Sequence, residues 1–266
     1  MSQASIRAAF LAAVKSLQAV GTPTTASYWQ ATLSVAQAIS ASGLLARAGD
    51  HRLDATDPIV QQSLQRREYK VADYLLRMMW DGQRVARQLA VSAGRNPDDE
   101  ARASVGLTAR EIQAVDRYRR ELEQNDLAAA MQRGLRDRRL DRTKTLSAAR
   151  IDAAVERYRQ RYTAHRATRI ARTEMARARS QGLQLAWQQA VRLGKVEAGS
   201  VRRFWAYVDD DRVRHSHRMI PSMNPRGVGL DETFRSPLGP IMYPGDPEAE
   251  PANMINCRCR LEIRAA

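Results

Sequence analysis

The sequence predicts a mainly α-helical protein with long helices and a small α+β module at its C-terminus. Three observations carry that expectation. Apolar residues recur with a helical period along most of the chain before Gly194. The interior they imply is built from Ala, Leu, Val and Met, with only three Phe and four Trp in 266 residues, and that composition suits helices. After Gly194 the pattern changes. The stretch from Phe204 to Leu261 holds both cysteines, two of the four histidines and a concentration of prolines between Pro221 and Pro251.

Ile6, Phe10, Ala13, Leu17 and Val20 define a first helix that stops before Gly21, Thr22 and Pro23. A second helix is expected over 26–47. Pro58 then opens a long helix whose stripe runs from Val60 through Leu64, Val71, Leu75 and Val85 to Leu89, ending at Gly94. Gly82 is its weak point, since an interior glycine costs about 1 kcal/mol relative to alanine. Met78, Met79 and Trp80 are read as core. The polar stretch 95–100 is the expected internal boundary. Thr108 followed by Glu111 is a capping-box pattern that starts a helix at Ala109 and carries it to about Glu123. A short helix follows over 127–133. Ser147 caps another, with Ile151, Val155, Tyr158 and Tyr162 on one face, and a separate helix covers 166–193 before Gly194. Thr173 and Glu174, flanked by arginines, point to a buried or half-buried ion pair. Val201, Phe204, Trp205, Tyr207 and Val208 read as a strand.

The formal charge is +14, carried almost entirely by arginine. That favours polyanionic partners, nucleic acid or an acidic protein face. It concentrates in Arg133, Arg136, Arg138, Arg139, Arg142 and Lys144, against Asp137 and Asp141 alone. Arginine is the better bidentate ligand for phosphate. The run has two readings, a phosphate or acidic-partner contact and a solvated connector between helices. No run of eighteen apolar residues suggests a membrane span, and the first twenty residues lack the pattern of a secretory signal.

His215-x-His217 and Cys257-x-Cys259 are pairs at i, i+2. In extended chain such pairs share a face. Two thiolates and two imidazoles make a tetrahedral zinc set, so His215, His217, Cys257 and Cys259 are the candidate ligands of one structural Zn2+, with Asp209, Asp210 or Asp211 able to replace one histidine. The other reading is cysteines packed as small hydrophobes. The Tyr243-Pro244-Gly245-Asp246-Pro247 segment is a rigid turn whose Asp246 can bond its own amides. No GxxxxGK loop and no Gly-x-Ser-x-Gly elbow is present. No catalytic residue is assigned, and an enzyme is not expected.

These residues resemble a known family. Arg169-Ile170-Ala171-Arg172-Thr173-Glu174, the stretch from Trp205 through Asp210-Asp211-Arg212-Val213-Arg214 to His217, the 243–247 turn and the closing Ile255-Asn256-Cys257-Arg258-Cys259 look like the phage head morphogenesis, or minor head protein, family, described as similar to the phage Mu F protein and the SPP1 minor head protein. Residues 107–122 and 135–142 resemble its middle part, so the resemblance spans roughly 105–262. It implies a low-copy virion component associated with the portal protein and the capsid or scaffold interior during head assembly, in contact with packaged double-stranded DNA. Many members of the family carry Cys-x-x-Cys where this chain has Arg214-His215-Ser216-His217. The resemblance supplies no established catalytic activity.

The organisation expected is an N-terminal helical region (1–100), a basic helical middle region (101–198) and the C-terminal module (199–266). The alternative function is a metal-dependent nuclease or a DNA-binding protein packaged with the genome. The expected location is the virion, at the portal vertex or capsid interior, and the host cytoplasm during assembly.

Overall fold

The computed structural model describes the chain except for Met1, Gly21, Thr22, Ser42, Leu45, residues 143–145, Ile255, Asn256 and Ala266, and the side chains of Asp141, Arg142, Pro251 and Met254. It is mainly α-helical, as the periodicity predicts. The elements are α1 (Gln3–Ala19), α2 (Thr25–Ser40), a minimal hairpin of β1 (Arg47–Ala48) and β2 (His51–Arg52), α3 (Pro58–Ser92), α4 (Pro97–Ala103), α5 (Ala109–Glu123), α6 (Leu127–Met131), α7 (Ala148–Arg192), β3 (Val201–Ala206), α8 (His215–Arg218), α9 (Ile220–Met223), α10 (Pro251–Met254) and β4 (Arg260–Ala265). The chain forms two compact units. One comprises Met1–Arg7, Ala36–Tyr69 and Arg169–Ala266; the other comprises Ala8–Val35 and Lys70–Thr168. The polar stretch 95–100 lies inside the second unit, and α3 and α7 each supply residues to both.

Helix ends follow local chemistry. Thr108 accepts the Glu111 N–H while the Glu111 carboxylate accepts the Thr108 N–H at 2.9 Å, closing the capping box at the start of α5. Asn96 caps α4 through the Asp98 and Asp99 N–H groups. Gly94 and Gly194 sit at positive φ and end α3 and α7, with the Arg95 and Lys195 amides each donating to an Ala carbonyl five residues back, Ala90 and Ala190. Thr108→Ala is expected to cost about 1 kcal/mol, read as a fall in unfolding midpoint that Thr108→Ser restores; an alanine variant as stable as the parent would refute the capping assignment.

Two expectations need correcting. Helix α2 ends at Ser40, short of Arg47, where the β1–β2 hairpin begins. The two helices expected over 147–193 are one continuous 45-residue helix, α7. The intervening Thr163-Ala164-His165-Arg166-Ala167-Thr168 contains no breaker, so nothing interrupts the hydrogen-bond ladder. Ile151, Ala154, Val155 and Tyr158 of α7 pack with Ile112, Val115, Tyr118 and Leu122 of α5 in the core of the second unit. Farther along, Leu185, Ala186, Trp187 and Ala190 pack with Leu53, Val60, Val201 and Leu230 in the first unit. Of the Met78-Met79-Trp80 stripe, both methionines are buried and Trp80 is exposed, since three consecutive helical residues fan over some 200°.

Strands β3 and β4 pair antiparallel, Trp205 opposite Leu261 and Arg203 opposite Ile263. Val201, Arg203 and Trp205 alternate inward along β3. Trp205, with Arg203 against Phe234, floors a second core in the first unit with Ile220, Val228, Phe234, Ile241, Cys257, Cys259 and Leu261. This is the small α+β module the sequence predicts.

Candidate metal centre

Cys257 and Cys259 lie in the irregular segment just before β4, and both side chains turn inward. His217 reaches them from α8. Its Nδ1 stands 3.5 Å from the Cys257 sulfur and 3.4 Å from the Cys259 sulfur, and one ligand atom from each residue lies within 4.8 Å of the others. The imidazole is 1% exposed and is held edge-on by Trp205, ring centres 5.4 Å apart; Trp205 in turn packs edge-on against Phe234 at 5.6 Å. His217 Nε2 is buried without a hydrogen-bond partner among the described residues.

The two thiols differ. A hydrogen bond from Cys259 pulls Cys257 down to about 5, against the opposing effect of burial and with help from His217. The same bond, together with burial, pushes Cys259 up.

The four-ligand set expected from the two i, i+2 pairs does not assemble. Both cysteine side chains are buried on the His217 side. His215-x-His217 lies on a helical turn, where residues two apart diverge by about 200°. His217 is therefore buried and His215 exposed. The acidic run supplies no substitute. Asp210 is paired with both terminal nitrogens of Arg258, which with the Arg212 amide hold its carboxyl below the ordinary range, and Asp209 and Asp211 are exposed.

The basic run folds back on itself. Arg133 forms a forked pair with Glu121. Asp137, 1% exposed, accepts from the Arg139 amide and is paired with Arg157 of α7, with Arg161 at 3.9 Å. Burial alone would raise its carboxyl; the bonds from Arg139 and Arg157 outweigh it and pull the value down. Arg161 also donates to the carbonyls of Leu135 and Arg136, and Arg136 to that of Arg133. Arg138 and Arg139 face solvent. The Arg142 side chain and Lys144 lie outside the described residues.

The expected ion pair at Glu174 is present. Arg177 grips its carboxylate at 2.8 and 3.0 Å and donates from Nε to the Gly245 carbonyl at 2.7 Å. Arg67, 5% exposed, stands 4.0 Å from the same carboxylate. Asp246 accepts from the Met242 and Glu248 amides, rigidifying the turn as read from its sequence. Arg203, fully buried at the centre of β3, escaped the sequence reading. The alternation that turns Val201 and Trp205 inward was the signal for it.

No curated protein and no solved structure matches this chain. A family model, described as Phage Mu protein F like protein, matches residues 116–262. That span is more than half of the chain and contains α7, β3, the His217–Cys257–Cys259 cluster and the first half of β4. The chain accordingly belongs to the Phage Mu F-like family, a family of phage head morphogenesis proteins.

Proposed function

We propose that this protein is a minor capsid protein of a tailed phage that docks at the portal or the inner capsid during head assembly and touches the packaged DNA. The family match over 116–262 carries the reading. A head morphogenesis protein works against other capsid components, and the architecture suits that work. Cationic surface is displayed by the short turn carrying Arg138 and Arg139 and by Arg172 and Arg179 of α7, all exposed, while Arg177 of α7, paired with Glu174, bonds the Gly245 carbonyl of the C-terminal module. No helix among the described residues is long and apolar enough to cross a membrane.

We read the role as structural, with one Zn2+ serving as a clasp of the C-terminal module. The candidate ligands are buried beneath apolar side chains, out of reach of a phosphodiester. Portal protein co-expressed with this chain should co-purify with it; failure to associate under assembly conditions would overturn the docking assignment. DNA binding by the purified chain should be strongest at low salt and fall linearly in log–log form as salt rises. Absence of binding at low salt removes the DNA contact. DNA cut only when divalent metal is added would replace the structural role with a nuclease.

A further inference from the structure

We propose that His217, Cys257 and Cys259 form a three-ligand site for one thiophilic divalent cation of the zinc class, bound through His217 Nδ1 and both sulfurs, with His215 and the acidic run outside it. This rests on the structural-ion reading above and assigns its ligands.

The first argument is geometric. Zinc bonds of about 2.3 Å to sulfur and about 2.0–2.1 Å to nitrogen, opened to the tetrahedral angle, separate a nitrogen and a sulfur ligand by about 3.6 Å. The two separations here are 3.5 and 3.4 Å. The second argument is valence. Nδ1 carries either one proton or one lone pair, so it can serve only one of two equidistant sulfurs with a full hydrogen bond. A cation placed between the three atoms satisfies all of them. It also fixes the imidazole tautomer by occupying Nδ1, a task that no acceptor at Nε2 performs among the described residues.

The third argument selects the ion by charge and softness. Two thiolates and a neutral imidazole total −2, and a divalent cation brings the group to zero. The buried apolar residues around it are Trp205, Ile220, Val228, Phe234, Ile241 and Leu261, with Arg214 and Arg258 within electrostatic reach of the sulfurs. Net charge left in such a shell is costly, which disfavours a monovalent or trivalent ion. Hard cations such as Mg2+ and Ca2+ want oxygen ligands, and this set offers none. Among the described residues no fourth His, Cys, Asp or Glu joins the group, so these side chains supply three of the ion's positions. The bound ion would tie α8 to the chain entering β4 across sequence separations of 40 and 42 residues, closing a long loop.

The test uses the full chain purified without chelator. Elemental analysis should give one zinc per chain. X-ray absorption at the zinc edge of the unmodified protein should show two sulfur neighbours and two nitrogen or oxygen neighbours. His215→Ala should retain the ion, while His217→Ala should lower zinc affinity by more than about tenfold, the smallest loss typical of disturbing even an outer-shell partner. Absence of bound metal overturns both the structural-ion reading and this assignment. A bound ion with one, three or four sulfur neighbours, or one that survives His217→Ala and is lost in His215→Ala, overturns the ligand assignment alone. The absorption measurement needs no variant to fold, and neither outcome bears on portal docking.

Discussion

Replacing Arg203 by alanine is expected to unfold the C-terminal module. The side chain is 0% exposed and makes four hydrogen bonds. Nε donates to the Gly229 carbonyl at 2.9 Å, and Nη1 to the Met242 carbonyl at 2.8 Å and to Gln184 Oε1 at 3.1 Å. Nη2 donates to the Glu232 carbonyl. Its guanidinium stands 5.4 Å from the centre of the Phe234 ring. One side chain therefore bonds α7 and three points of the 229–242 loop from the middle of β3. Burial pulls its pKa down to about 10, so it stays charged at neutral pH with carbonyl dipoles as its hydrogen-bond partners. Removing it leaves the buried Gln184 Oε1 without this donor, a cost of about 1–3 kcal/mol, takes one donor from the part-buried carbonyls of Gly229, Glu232 and Met242, and opens a cavity besides. Together these reach the roughly 4–5 kcal/mol that marks an exceptional mutation, the low end of a whole domain's stability of about 5–15 kcal/mol. Arg203→Lys keeps the charge but loses the planar fork and should be intermediate. Arg203→Met keeps most of the volume without the donors and should resemble alanine. Thermal unfolding combined with protease sensitivity of the C-terminal stretch reads the effect. A methionine variant within about 1 kcal/mol of the parent would show that the four hydrogen bonds contribute little.

Arg203 also marks a limit of what pattern alone reveals. The alternation that makes β3 legible places position 203 inward, yet an arginine there contradicts the rule that charged residues stay outside. The contradiction resolves only when Gly229, Glu232 and Met242 return from later in the chain to supply acceptors, and nothing local announces them. Helix identity is readable through most of the body because it depends on short-range periodicity and caps; Thr108 with Glu111 sits where the sequence puts it, whereas the polar stretch 95–100, read as a boundary, holds the cap and first turn of α4. The candidate site was half readable. Both cysteines meet His217, which their burial and the adjoining β4 explain. His215 was misplaced because residues at i, i+2 diverge on a turn of helix, and the four residues His215–Arg218 are too few for periodicity to identify one. The basic run shows a third case. Its composition was plain, but its folding around Asp137 depends on Arg157 and Arg161, which lie on α7 some twenty residues away.

Gly82→Ala is expected to destabilise the second unit, although propensity alone predicts the opposite. In the interior of α3, alanine would gain about 1 kcal/mol over glycine. A Cβ at position 82, however, would stand 2.2 Å from the Leu107 carbonyl oxygen, 3.3 Å from its carbon and 3.1 Å from the Ile112 Cδ1. The nearest atom belongs to the backbone, so no rotamer change relieves the overlap. Leu107 is fully buried and is followed by Thr108, whose capping box anchors the start of α5. Moving the 107 carbonyl therefore displaces the helix carrying Ile112, Val115 and Tyr118 in the core of this unit. Overpacking of this kind costs typically about 1–3 kcal/mol and more where backbone must shift, enough to outweigh the propensity gain. The net fall should be up to about 2 kcal/mol, with Gly82→Val worse than alanine. Exposed helix sites offer the internal control: Ser92→Ala, at the exposed end of α3, should change stability by less than about 0.5 kcal/mol. Denaturant unfolding followed by circular dichroism separates the cases. A Gly82→Ala chain more stable than the parent would mean that α3 has room to move from residue 107, and the glycine would then be the weak point its sequence context suggests.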